Sequence, residues 1–174
     1  TGSGKTVIMA GLILYLYTKG YRKFLFFVNQ TNILEKTKEN FLNPASGKYL
    51  FADNVEILGD QIAIREVDNF SIVDEQAINI CFTTTQKLHL DLNLSKENSI
   101  TIEDFEDDRV VLISDESHHV NTRTKGRTKE EEAADNSWEY SVERIFRANR
   151  DNALIEFTAT CDLKDPAVLR KYTD

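Results

Sequence analysis

Cysteine is scarce in this sequence. Cys81 and Cys161 are the two cysteines among 174 residues, and neither belongs to a C-x-x-C pair. This scarcity disfavours a disulfide framework, and the three histidines have no spacing that would complete a metal site. We therefore expect both thiols to be reduced and buried, as is usual in a cytosolic protein.

Long apolar runs are also missing. The longest candidate, residues 7–17, is shorter than the roughly 18 apolar residues that a membrane span needs. The sequence also lacks a charged-then-apolar leader with a small-residue cleavage site. It therefore predicts a cytoplasmic protein that makes no contact with a membrane.

Basic residues are outnumbered. The chain has 21 Lys and Arg against 29 Asp and Glu, for a formal net charge of −8. This balance argues against a protein that binds nucleic acid mainly through a large net positive charge. It does not argue against one that contacts the phosphate backbone of DNA through hydroxyls, amides and helix ends. The hydrophobic share of 41% is enough for one domain with a substantial core.

The first motif is half of a phosphate-binding loop. Residues 1–6 read TGSGKT, the closing half of G-x-x-x-x-G-K-[ST]. Glycine lets backbone N–H groups approach a triphosphate, and the following helix points its positive end at the phosphates. Lys5 would reach the β- and γ-phosphates and Thr6 would hold Mg²⁺. The alternative is a turn that merely contains two glycines. The predicted ATP-binding residues are Gly2, Ser3, Gly4, Lys5 and Thr6.

The second motif follows an apolar run at residues 109–114 and reads DESHH over residues 115–119. Consecutive aliphatic residues bounded by charge are typical of a parallel strand buried on both faces, and α/β sheets bind ligands at the carboxyl ends of such strands. There Asp115 would bind Mg²⁺ through water, and Glu116 would orient and deprotonate the attacking water. The alternative is a strand that ends in a solvated acidic turn.

The remaining pattern predicts an α/β fold with a mostly parallel sheet. Apolar runs at 24–28, 77–82 and 153–157 add three strands, and weaker runs at 55–58 and 62–64 flank a turn. Helical spacing follows the loop motif and recurs after residues 32 and 136. Residues 120–136 are rich in charge and poor in apolar side chains, which predicts a mobile surface loop. The alternative interpretation is that the basic residues of this stretch bind nucleic acid.

The motifs TGSGKT, DESHH and TAT resemble motifs I, II and III of superfamily 2 helicases and translocases. The sequence is most similar to the motor (Res) subunit of type III restriction enzymes. That similarity is carried by the segments FLFFVNQTNILEKTKENF, ICFTTTQKL, VVLISDESHHVNT and NALIEFTAT. The resemblance implies a RecA-like P-loop lobe with helices on both faces of its sheet. It also implies a function in DNA translocation driven by ATP and Mg²⁺.

The resemblance implies further roles, residue by residue. His118 would act with Lys5, Asp115 and Glu116 in hydrolysis, and it would also couple the nucleotide site to the rest of the motor. Thr158 and Thr160 match the motif III hydroxyls that link hydrolysis to strand movement. The residues matching two DNA-facing motifs are Gln30, Thr31, Asn32, Thr84, Thr85 and Gln86. Ordinary turn and capping chemistry is the alternative for those six.

The resemblance also implies parts beyond this chain. Double-stranded DNA and the DNA methyltransferase subunit would be partners, and a second RecA-like lobe and a nuclease domain would complete the motor. A strand before Thr1 would complete the loop, so we expect residues 1–174 to be a partial first lobe, truncated at the N-terminus and inactive alone. A type I restriction motor and a DNA repair helicase are close alternatives. A P-loop phosphotransferase and an inactive truncated module are alternatives of other classes.

Overall fold

The computed structural model describes residues 4–52, 55–94, 96–115 and 129–158, with residues 129–137 described as backbone only. The helices are α1 Lys5–Thr18, α2 Thr31–Leu42, α3 Thr85–Asn93, α4 Glu103–Glu106 and α5 Lys129–Ala148. The strands are β1 Lys23–Val28, β2 Val55–Ile57, β3 Asp60–Ile62, β4 Ile64–Glu66, β5 Ile78–Thr84, β6 Val110–Asp115 and β7 Ala153–Phe157.

The main sheet has five strands in the order β4-β5-β1-β6-β7, and every neighbouring pair in it is parallel. Strands β2 and β3 form a separate antiparallel hairpin. Parallel neighbours require crossover connections. Helix α2 follows β1, α3 and α4 lie between β5 and β6, and α5 lies between β6 and β7, while the chain runs from β4 to β5 without a helix. The predicted α/β fold with helices on both faces is confirmed.

Alternate residues of the central strands enter two different cores. Phe24 and Phe26 of β1 pack with α1 and α2 on one face of the sheet. Leu25 and Phe27 pack with α3, α4 and α5 on the other face. All six residues of β1 are buried, as expected for a strand covered on both sides. The two cores hold the sheet rigid and so fix the positions of its strand ends.

Helix α5 corrects one prediction. Residues 129–136 are helical, whereas the sequence pattern predicted a mobile loop over 120–136. Lys, Glu and Ala are strong helix formers, and acidic residues in a first turn favour the helix dipole. The KEEEAA run at 129–134 therefore starts a helix rather than extending a loop. Residues 120–128 lie outside the described residues.

The described helices can be compared with the prediction that the protein makes no contact with a membrane. Within the described parts of the chain, no helix combines the length and the apolar character that crossing a bilayer requires. A cytoplasmic location stays a prediction.

Candidate nucleotide-binding site

The carboxyl ends of β1, β5, β6 and β7 meet at one edge of the sheet, because all four strands run parallel. Their last residues are Val28, Thr84, Asp115 and Phe157. The apolar parts of these strands are fixed in the two cores, while the chain leaves the sheet at this edge. Side chains placed there rest on a rigid base, at the edge where other α/β sheets bind ligands.

The N-terminus of α1 lies at the same edge. Gly4 precedes the helix with φ 72° and ψ 10°, in the left-handed region that glycine adopts at little cost. Its carbonyl accepts the first helical hydrogen bond, from Ile8 N–H at 3.0 Å. The N–H groups of the first turn have no partners within a helix, and the helix dipole makes this end positive. The geometry is that of an anion-binding helix start.

Lys5 and Asp115 are brought together by this arrangement. Nζ of Lys5 lies 3.9 Å from Oδ1 of Asp115, and the side chains are 18% and 11% exposed. Lys5 is the first residue of α1 and Asp115 is the last of β6. Thr6 follows in the same first turn of α1. An ammonium group and a carboxylate therefore meet at one edge of the sheet, next to the helix turn that carries Thr6.

Thr158 is close to this pair in the fold. Asp115 is paired with Phe157 in the β6–β7 register, so Thr158 comes one residue past the strand that neighbours the acid. It is half-buried. This places the predicted coupling threonine beside the strand end that carries Asp115. Five predicted site residues lie outside the described ranges: Gly2, Ser3, Glu116, His118 and Thr160.

The two predicted DNA-facing segments occupy neighbouring strand ends. Gln30, Thr31 and Asn32 follow β1 and are exposed at the start of α2. Gln86 is exposed at the start of α3, which follows β5. Val28 is paired with Thr84 in the β1–β5 register, so the two segments begin side by side.

Thr84 and Thr85 both make hydrogen bonds within the chain. The Thr84 hydroxyl accepts from Lys87 N–H at 3.2 Å and so caps α3. Thr85 is 5% exposed and its hydroxyl donates to Oδ1 of Asn29 at 2.8 Å. The prediction of a DNA-facing side chain therefore does not hold for Thr85. Asn29 was missed in the sequence, although a polar residue directly after a buried strand was a usable signal.

Family membership is decided by comparison with known proteins. Residues 1–163 match the model of the family described as type III restriction enzyme, res subunit. The chain belongs to this family. The matched range contains the whole described sheet and every predicted site residue of the Res-family chain, from Gly2 to Thr160.

A curated relative agrees with the family match. The chain is 42% identical over 193 aligned positions to a Haemophilus influenzae protein named a probable type III restriction-modification enzyme HindVIP Res subunit. The alignment covers 100% of this chain but 37% of the relative. The Res-family chain therefore spans little more than a third of the length of that relative.

Proposed function

We propose that this chain provides the first RecA-like lobe of an ATP-dependent DNA translocase motor in a type III restriction enzyme. The observation that carries the proposal is the 3.9 Å approach of Lys5 Nζ to Asp115 Oδ1 at the carboxyl edge of the sheet. Those two residues come from the two sequence motifs that suggested nucleotide chemistry. Membership of the Res family supports the same function.

The described residues fit a magnesium–nucleotide complex. A triphosphate carries several negative charges, which suit the Lys5 ammonium group and the positive end of α1. Mg²⁺ prefers oxygen ligands, which suit the Thr6 hydroxyl and, through water, the Asp115 carboxylate. MgATP would supply a γ-phosphoryl group whose transfer to water releases the free energy for movement.

Different residues of the chain would then bind the nucleotide, activate water and couple hydrolysis to DNA. Lys5 would hold negative charge on the phosphates, while Thr6 and Asp115 keep the metal ion in position. Glu116 would orient a water molecule and accept its proton. We propose His118, Thr158 and Thr160 as coupling residues between this site and the DNA-binding surface. Their positions in the sequence, after β6 and after β7, support that role.

The DNA-binding surface in this proposal consists of two polar turns, residues 30–32 and residues 84–86. Four exposed side chains lie there: Gln30, Thr31, Asn32 and Gln86. Neutral side chains and helix N-termini can bind phosphates without a large positive charge. This suits a chain whose net charge is −8. We propose double-stranded DNA and a DNA methyltransferase subunit as partners, in line with the relative's name as a restriction-modification enzyme.

ATP turnover by the full-length protein that carries these residues, with and without DNA, tests the proposal. We expect DNA to stimulate phosphate release, and Lys5→Ala or Glu116→Gln to lower the stimulated rate by about 100-fold or more. Lys19→Ala is the matched control, since Lys19 is an exposed lysine at the other end of α1 and its loss leaves the rate unchanged.

Two results would contradict this function. Turnover that is indifferent to DNA but depends on a small phosphate acceptor would favour a phosphotransferase. DNA-stimulated turnover that survives Glu116→Gln would remove the proposed base. Translocation itself is measured by displacement of a labelled third strand from a DNA triplex ahead of the motor.

A further inference from the structure

A hydrogen bond between side chains links one polar turn, at Thr85, to Asn29, the residue directly before the other polar turn. The hydroxyl of Thr85, the first residue of α3, donates to Oδ1 of Asn29 at 2.8 Å. Thr85 is 5% exposed and Asn29 is half-buried. Asn29 directly follows β1 and Thr85 directly follows β5, and these strands are neighbours in the sheet. The bond therefore connects two adjacent strand ends at the edge that carries Asp115.

The Thr85 hydroxyl is not needed to start α3. Thr84 already caps that helix by accepting from Lys87 N–H. A buried hydroxyl loses its hydration, so an apolar side chain of the same shape would serve there unless the hydroxyl has a specific partner. Its partner here is Asn29. The bond therefore does not serve to cap α3.

The bond links the start of α3 to the residue two positions before α2, and these two helices do not share a core. Helix α2 packs against one face of the sheet, through Leu34 and Phe41. Helix α3 packs against the opposite face, through Leu88. Their N-termini, with the exposed Gln30 and Gln86, begin side by side at the ends of the neighbouring strands β1 and β5. A link between the strand ends is therefore well placed to set the spacing of the two turns.

We propose that the Thr85–Asn29 hydrogen bond positions the two polar turns as one surface for a DNA backbone. Thr85 and Asn29 act as positioning residues, because they set where Gln30, Thr31, Asn32 and Gln86 stand. This inference rests on the proposed function, which assigns DNA binding to those turns. Without the bond each turn still forms, but the two no longer hold a fixed distance, and part of the DNA-binding free energy is spent on ordering them.

The test uses the full-length protein and a fluorescein-labelled DNA duplex. The dissociation constant comes from fluorescence anisotropy, and the DNA concentration for half-maximal ATP turnover comes from phosphate release. Thr85→Val keeps the shape and removes the donor, Thr85→Ser keeps the donor, and Asn29→Ala removes the acceptor. Thr83→Val is the matched control: Thr83 is a buried β5 threonine whose hydroxyl donates to Thr84 O at 3.4 Å.

We expect Thr85→Val and Asn29→Ala each to raise both DNA constants by about 3- to 10-fold, the range for one hydrogen bond. The double variant should be no worse than either single variant, because both remove the same bond. The KM for ATP and the rate at saturating DNA should stay unchanged. Thr85→Ser and Thr83→Val should each have the same two DNA constants as the wild-type protein.

Other outcomes overturn the inference in distinguishable ways. If wild-type protein binds DNA and Thr85→Val binds it equally well, the positioning role is wrong while the proposed function stands. If Thr83→Val weakens DNA binding as much as Thr85→Val at a similar loss of melting temperature, the effect is general destabilisation and the role is again wrong. If wild-type protein does not bind DNA at all, the proposed function fails and this inference fails with it.

Discussion

Lys5 and Asp115 approach each other to 3.9 Å between Nζ and Oδ1, with both side chains largely shielded from solvent. The distance is that of an ion pair rather than a close hydrogen bond. In the folded chain the carboxylate therefore offsets the charge of the ammonium group that the proposed phosphates would contact. The same carboxylate repels phosphate oxygens unless a metal ion lies between them.

This relationship predicts opposite effects of Asp115→Asn with and without magnesium. With Mg²⁺, turnover and nucleotide affinity should fall by about 10- to 100-fold, as is usual when a group that orients metal-bound water is lost. With EDTA, affinity should be equal to or tighter than that of wild type, because a repulsive charge has gone. Titration with a fluorescent ATP analogue in both buffers, on the full-length protein, measures this difference.

Asp108→Asn is the matched control for that experiment. Asp108 precedes the other end of β6 and forms an ion pair with Lys23 at 3.4 Å. Its substitution should leave nucleotide affinity unchanged in both buffers. Equal losses for Asp115→Asn in magnesium and in EDTA would contradict the metal role of Asp115.

The central sheet could be predicted from sequence because its strands are continuous apolar runs. Residues 24–28 and 153–157 form strands, as predicted. In β1 burial on both faces leaves no helical or alternating pattern to compete, whereas β7 is half-buried at the end of the strand order. The approach of Lys5 to Asp115 was also predictable, because parallel strands bring their carboxyl ends to one edge.

Other features depended on contacts that a local pattern does not contain. The charged run at 129–136 suits a solvated loop and a solvated helix equally well, and composition alone favoured the loop. Strand β4 has three residues, two of them exposed, and it is part of the sheet because it pairs with β5. The Asn29–Thr85 bond depends on the β1–β5 register, which neither segment reveals by itself.

The hairpin turn predicts a stabilising substitution. Leu58 has φ 56° and Gly59 has φ 95°, so both residues between β2 and β3 are in the left-handed region. That region costs a leucine about 1 kcal/mol, whereas Asn tolerates it and Asn-Gly is the favoured sequence for such turns. Leu58 is 91% exposed, so little burial is lost on substitution. We expect Leu58→Asn to raise the free energy of unfolding by about 1 kcal/mol in urea titration.

Ile72→Asn is the control for Leu58→Asn. Ile72 is also 91% exposed but is not among the described residues with positive φ. Its substitution should change stability by less than about 0.5 kcal/mol. Equal gains from both substitutions would mean that removal of exposed apolar surface, and not backbone strain, is responsible.

Asn152 predicts a large loss of stability on truncation. Its Oδ1 accepts from Val110 N–H at 2.8 Å, and its Nδ2 donates to Ile145 O at 2.9 Å and Phe105 O at 3.1 Å. The residue is 7% exposed, so water cannot readily replace these bonds. Asn152→Ala should lower the free energy of unfolding by about 2–4 kcal/mol, because buried backbone groups lose their partners.

Asn149→Ala provides the comparison. Asn149 also bonds the backbone, at Glu106 O and Asp151 N–H, but these bonds are exposed to solvent. Water can take over both, so the loss should be below about 1 kcal/mol. Urea unfolding of the two variants compares their losses in free energy of unfolding. Similar losses would show that burial does not make the Asn152 hydrogen bonds contribute more than the exposed ones.

Cys81 predicts a thiol that reacts only when the structure opens. It is 4% exposed, and burial raises its pKa from the ordinary 9.0 to about 12. At pH 8 the thiolate fraction is then about one part in ten thousand, and the thiolate is the reactive species. In a Cys161→Ser variant, reaction of Cys81 with Ellman's reagent should be slow in buffer and should accelerate as urea populates the unfolded state. The raised pKa also means that stability falls as pH rises from 9.0 towards 12, because the unfolded chain loses its proton first. A reaction rate that is fast in buffer and insensitive to urea would contradict the burial of this thiol between the sheet and its helices.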